Sequence, residues 1–454
     1  MGRARRLGVA LAVAWLAIAA VGASLAITAA GASPPARPGM NPNPVRLVRP
    51  PAAPLSAMAR LGRRVFFDPA LSASGRLSCA SCHSPAHAYG PPGALPAMFG
   101  GPRLTRQGVR AVPSLMYLDR QPNFSIGPDN AETEGVNLRR AAGRGQHAPR
   151  AHKSARAPTA AAANLVPQGG LFWDGRADTL QAQALGPLRS PFEMDGGSDA
   201  RLAALLARAP YAGRMRALFG AAIFATPRLA VAEALFAVAR YQIEDPAFHP
   251  YTSKFDFWLE DKARFTQAEL RGYQAFNDPA KGNCAGCHLD RPTPDGRPPL
   301  FTDHQFEALG VPRNPALRVN RDPHYFDLGL CGPYRADLRA ETGYCGLFLT
   351  PSLRNVATRH VFFHNGIYHH LRQVLDFYDF RDVAPDRVYP RAPDGTVAIT
   401  DDLPARYRGN LDRQDPPFGG TDGARAPMSA ADERDIIAFL RTLTDGYRPR
   451  GAGR

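Results

Sequence analysis

"CASCH", Cys79 to His83, and "CAGCH", Cys284 to His288, are the stretches whose reading decides the fold. In C-x-x-C-H the spacing lets two thiols form thioether bonds to porphyrin vinyl groups, while the next residue's imidazole reaches the iron. The two copies therefore predict covalent c-type haem at Cys79, Cys82 and His83, and again at Cys284, Cys287 and His288. A four-cysteine zinc site or a redox C-x-x-C pair would use the same thiols, but both leave the adjoining histidines unexplained. Cys331 and Cys345 remain. They flank a Gly-containing loop on a chain that reads as exported, and most simply form a disulfide.

Export is read from the N-terminus. Arg3, Arg5 and Arg6 precede an apolar run that ends in the small residues Ala30 to Ser33. Residues 1–33 are thus a signal peptide or, given the length of the run, a signal-anchor in the inner membrane. The body is expected in the periplasm. Residues 34–55 read as a Pro-rich linker. Lys and Arg outnumber Asp and Glu by 55 to 40. No compact basic block with interleaved aromatics occurs, so nucleic acid is not an expected partner. Haem propionates and an acidic protein partner would use the same charge.

Between and beyond the haem motifs the pattern is helical. "DARLAALLARAPYAGRMRALFG" and "PRLAVAEALFAVARYQI" carry apolar residues at helical spacing. Thr266 with Glu269, and Ser429 with Asp432, are capping boxes that open two further helices. In "VLDFYDF" Leu371, Val374, Leu375 and Tyr378 share one helix face. Residues 127–168 are basic, rich in small residues and poor in large apolar ones. They read as a disordered insertion. Pro (44) and Gly (42) are abundant enough to predict long loops.

"LGRRVFFDPALSASGRLSCASCH", "GLFWDGRADTLQAQALGPLRSPFEM" and "TPSLRNVATRHVFFHNG" resemble, in order, motifs of the bacterial di-haem cytochrome c peroxidase and MauG superfamily. The resemblance implies a mainly α fold of two cytochrome-c-like haem domains packed face to face, at residues 56–260 and 261–447. It implies a peroxide site at the N-terminal haem and electron transfer through the C-terminal one. Trp173 matches an aromatic between the haems. Gln183 and Glu193 match a distal pair, the glutamate being the base that peroxide heterolysis needs. His364 matches a histidine near the second haem.

Tyr378, fourteen residues after His364, matches the position of that haem's sixth ligand. Peroxidases generally place methionine there, whereas MauG-type enzymes have tyrosine. No histidine lies in "AMFGGPRLTRQGVRAVPSL", and His87 is too close to the attachment turn to fold back, so the N-terminal iron is expected to be open. Ala111 stands where the family commonly has an asparagine that helps bind calcium between the haems. Only backbone carbonyls near Arg359 and Val361 would remain for that ion. The implied partners are hydrogen peroxide and a small periplasmic cytochrome c or cupredoxin. The alternatives are a MauG-like oxidase acting on a side chain of a partner protein, and a non-enzymatic electron carrier.

Overall fold

A computed structural model describes residues 38–129 and 165–449 of the chain. Its helices are α1 (Ala57–Phe66), α2 (Cys79–Cys82), α3 (Leu180–Arg189), α4 (Asp199–Arg208), α5 (Ala212–Phe219), α6 (Pro227–Glu244), α7 (Lys254–Leu259), α8 (Gln267–Asn277), α9 (Leu371–Phe380) and α10 (Ala430–Arg441). Long irregular segments and short 3₁₀ turns join them. Three two-stranded antiparallel ladders complete the described architecture: β1 (Phe99–Gly100) with β2 (Arg106–Gln107), β3 (Ser125–Pro128) with β4 (Leu165–Gln168), and β5 (Phe306–Glu307) with β6 (Phe348–Leu349). The fold is mainly α, as expected.

Local chemistry explains where the helices begin. Ser56, Thr179 and Ser198 each accept a backbone N–H as N-cap residues. The boxes Ser253/Asp256, Thr266/Glu269 and Ser429/Asp432 are closed in both directions. The apolar pattern of residues 199–220 forms two helices rather than one. Pro210 has no N–H to give, and it holds Ala209 in an extended conformation (φ −66°, ψ 149°).

Each lobe is built on a crossed helix pair, and the two crossings repeat one device. Gly62 of α1 lies against Ala237 of α6, where a Cβ would stand 1.8 Å from the carbonyl oxygen. Gly272 of α8 meets Asp435 of α10 with the same 1.8 Å clearance. Four residues beyond each contact an aromatic pair closes the wedge. Phe66 meets Tyr241 at 5.6 Å and Phe276 meets Phe439 at 5.1 Å, both edge-on. One core gathers Leu61, Phe66, Leu206, Met215, Val238, Tyr241 and Phe248. The other gathers Phe255, Trp258, Phe265, Phe276, Phe301, Ile436 and Phe439.

Three boundaries differ from the sequence reading. The second lobe begins before 261, because Phe255, Trp258 and Leu259 of α7 are buried in its core. Part of the expected linker is a docked strap. Leu47 is buried there, Val45 N–H donates to Leu259, and Arg49 holds both oxygens of Glu260 (3.0 and 2.8 Å). The expected insertion starts inside a ladder, with Gly127 paired to Val166 and Ile126 to Pro167. Backbone pairing there does not need the large side chains that the composition lacks. The rest of that insertion, and the expected signal segment at 1–33, lie outside the described residues.

The lobes meet through fixed polar contacts. Arg354 donates to both oxygens of Asp256 (2.7 and 3.0 Å), with its guanidinium 4.9 Å from the ring centres of both Tyr117 and Tyr251. Asp445 accepts from the Tyr117 hydroxyl, the Thr252 N–H and the Asn355 amide. No helix among the described residues is long and apolar enough to cross a membrane.

Candidate functional site

The two C-x-x-C-H motifs sit in equivalent settings. The His83 ring holds the Tyr89 carbonyl through Nδ1 at 3.2 Å, and the His288 ring holds that of Phe301 at 2.9 Å. A backbone carbonyl at Nδ1 is the usual second contact of an iron-ligating imidazole, whose Nε2 would take the iron; the Pro113 and Pro351 backbones also act on the two rings. Burial lowers both imidazoles to a pKa of about 4, so they are neutral and able to donate a lone pair. Burial also pushes Cys79, Cys82 and Cys284 up to about 12, and raises Cys287. The two pairs lie in separate lobes. Among the described residues no group of three or more Cys, His, Asp or Glu is placed to hold a metal ion.

A cavity of about 300 Å³ runs between the lobes. Cys284, Cys287 and His288 line it, with Tyr378, Leu371, Val374 and Leu375 from α9. Ser114, Leu115, Gln183 and Trp173 line it too, whereas Cys79, Cys82, His83 and Glu193 are not on its wall. An enclosed space with two thiols and an anchored imidazole on its wall fits a covalently held porphyrin.

The Tyr378 ring stacks on Phe418 at 5.4 Å, and its phenol shares an electrostatic environment with Cys287 and Cys284. Burial, reinforced by these thiols, raises the phenol above its ordinary range. By itself it would stay protonated; ligation to a cation would reverse that.

The first site is assembled by a turn that folds back on α3. Met194 and Gly196 N–H groups donate to the Pro187 and Leu188 carbonyls. Pro187, inside the helix, cannot donate to the Gln183 carbonyl as an ordinary residue would. Gly100 lets this turn approach, because a Cβ there would stand 2.3 Å from the Glu193 carbonyl oxygen. The Glu193 side chain remains accessible, yet the protein mass around it raises its carboxyl, against the pull of Ser190 and Arg176. Its charge in turn raises Cys82, so Glu193 acts on the first motif.

Trp173 ties the halves together. Its indole donates to the Ala111 carbonyl at 2.8 Å, and the Ala111 N–H donates to the His364 carbonyl at 2.8 Å. His364 stacks on Phe348 (3.6 Å between ring centres, 9° between planes), and its Nε2 is buried without a partner. His87 is bound to the Ser84 hydroxyl at 3.0 Å. Cys331 and Cys345 are joined by a disulfide.

The sequence reading missed two features. One is the carboxylates near Cys287: burial raises Glu307, and so do Asp412 and Asp303. The other is the side chain of Arg359. Its Nε donates to the Val361 carbonyl (3.3 Å) and its Nη2 to the Val112 carbonyl (2.9 Å). Val361 is one of the carbonyls left for calcium, and here an internal guanidinium uses it. No local pattern signals either feature, since each depends on residues distant in sequence.

A sequence profile described as di-haem cytochrome c peroxidase matches residues 56–264. The methylamine utilization protein MauG of Paracoccus denitrificans is 31% identical over 402 residues, covering 87% of this chain and 90% of that protein. The cytochrome c551 peroxidase of Nitrosomonas europaea is 27% identical over 332 residues, covering 71% and 72%. Among solved structures, the diheme peroxidase BthA from Burkholderia thailandensis superposes with a TM-score of 0.71 at 34% identity, covering 90% of this chain and 94% of that one.

Proposed function

This chain belongs to the di-haem cytochrome c peroxidase and MauG family, whose members bind two c-type haems, and from that premise we propose that it activates hydrogen peroxide at the N-terminal site. Electrons reach that site through the C-terminal one. The observation that carries this reading is Glu193, a carboxyl raised by its surroundings whose charge acts on Cys82. The bound haem supplies the iron that takes up peroxide and electrons.

The protein's own groups hold the reactant and move its protons. The Glu193 carboxylate accepts a proton from the near peroxide oxygen and returns it to the leaving one, and a raised pKa suits both halves of that exchange. The Gln183 amide, on the cavity wall, is placed to hold the reactant by a hydrogen bond. Hydrogen peroxide, two electrons and two protons give two waters. A small periplasmic cytochrome c or cupredoxin supplies the electrons. Trp173, pinned by its indole to Ala111, keeps an aromatic ring on the cavity wall.

A second reading, oxidation of a partner protein's side chain, is favoured by Tyr378. A hard anionic ligand there would stabilise oxidised iron and make the C-terminal haem a poor store for ordinary electrons. A bare electron carrier would have no use for Glu193. The test is stopped-flow mixing of Glu193→Gln with peroxide. Activation should slow by roughly 10²–10⁴-fold with both haems retained; wild-type rates would end the assignment.

A further inference from the structure

Two arginines line the cavity, and they are used differently. Arg354 is neutralised by Asp256 (2.7 and 3.0 Å). Arg359 has no carboxylate partner among the described residues. Its Nε and Nη2 hold the Val361 and Val112 carbonyls, and Nη1 makes no hydrogen bond to them or to any other described residue. Of the other arginines drawn inward, Arg110 holds Asp174 and Asp327, Arg313 holds Asp402 and Arg381 holds Asp382, while Arg120, away from the cavity wall, holds the Tyr251 hydroxyl and the Pro298 carbonyl. Burial lowers Arg359 only to about 10, so it stays charged at neutral pH.

Its location narrows what it can serve. Nη1 lies against Gly90, 3.4 Å from where a Cβ would stand, just after the residue whose carbonyl anchors His83. The Arg359 charge also acts on His83 itself. An enclosed cation without an anion is costly, and a planar fork of N–H donors matches a carboxylate. A haem held at His83 would bring its own carboxylates, the propionate arms of the porphyrin. Glu307 and Asp412 also line the cavity, and burial raises both carboxyls.

We propose that Arg359 receives a propionate of the N-terminal haem and, as a charge built into the chain between the lobes, raises that haem's reduction potential relative to the C-terminal one. Such a charge would favour electron flow from the C-terminal haem toward the N-terminal one. The inference rests on the presence of two haems, not on which substrate is oxidised, and its readout needs no peroxide.

Spectroelectrochemical titration of the di-haem protein tests it, comparing wild type, Arg359→Gln and Arg359→Lys, with and without EDTA. Arg359→Gln should weaken reduction of the N-terminal haem roughly tenfold, about 59 mV for one electron, and move the C-terminal haem less. Arg359→Lys should restore most of the shift, because the charge is kept. EDTA should leave the wild-type potentials unchanged. Equal shifts at both haems, no shift in Arg359→Gln, or a potential that falls when EDTA is added to wild type would each overturn the assignment.

Discussion

Gly272→Ala should loosen the C-terminal lobe, and the size of the effect follows from the crossing of α8 and α10. The added Cβ would sit 1.8 Å from the Asp435 carbonyl oxygen, whereas real Cβ contacts essentially never fall below 3.0 Å. The obstacle is backbone, so no side chain can rotate away, and the helices must part by the difference. Gaps of this order forfeit a quarter to a half of each dispersion contact along the seam. The seam here holds Phe276 on Phe439 (5.1 Å) and Tyr273 on Phe439 (5.2 Å).

Overpacking of this kind costs about 1–3 kcal/mol or more, and the helix propensity gained by replacing glycine returns about 1 kcal/mol. From the middle of that range a net loss of about 1 kcal/mol remains, about 2–4 °C in Tm for a lobe of this size. Thermal unfolding followed by far-UV circular dichroism and Soret absorbance reads it directly. Gly213→Ala in α5, where a Cβ meets nothing within 4 Å, is the control and should be neutral or slightly stabilising. If Gly272→Ala melted within about 0.5 kcal/mol of wild type, the close crossing would not be what sets the lobe's geometry.

Tyr378→Phe keeps the stack on Phe418 and deletes only the oxygen; if the phenol is an iron ligand, the low-spin EPR signal should change, and an unaltered spectrum removes the ligand. Asp256→Asn strands the Arg354 charge in a site where both side chains are fully enclosed, and should cost about 3–5 kcal/mol in denaturant unfolding. Burial raises Asp256, but Arg354 and Ser253 outweigh it and hold the carboxyl below its ordinary range. Its contribution is therefore present above the unfolded value near 3.9 and is lost as pH falls toward the folded one, so wild-type stability should drop below about pH 4 more steeply than that of Asp256→Asn. Replacing both Cys331 and Cys345 with Ser opens a loop spanning 14 positions and should cost about 3 kcal/mol, provided the reduced chain keeps its native packing.

What could be read from sequence was local. The haem motifs, the capping boxes and the shared face of Leu371, Val374, Leu375 and Tyr378 are each set by residues a few positions apart. In the structure all four of those α9 residues pack against the second core. The break at Pro210 was also present in the string, but the apolar pattern on either side hid it. What could not be read depends on contacts across the chain. Nothing near Gly62 or Gly272 announces which carbonyl each will meet. Arg359 looks like any other arginine until the acids around its neighbours are seen to be taken. The linker and insertion were misjudged at their ends for a related reason. Composition reports how much apolar surface a segment owns, whereas Leu47 and the β3–β4 ladder are held by surface and backbone that other segments provide.

The strap has a consequence for the order in which the chain becomes native. Asn41 donates to the carbonyl of Leu259, 218 positions downstream, and Val48 bonds to Gly296. Contacts this distant close a long loop and are made late. As the chain emerges residue by residue, α1 can pair with α6 once α6 is out, whereas the strap ahead of them has no partner yet. It stays unsatisfied until the second half has been made, then closes over that half as a latch. The earliest described residues to be synthesised are thus among the last to settle, and a chain halted midway would present a paired α1 and α6 with a loose leading end.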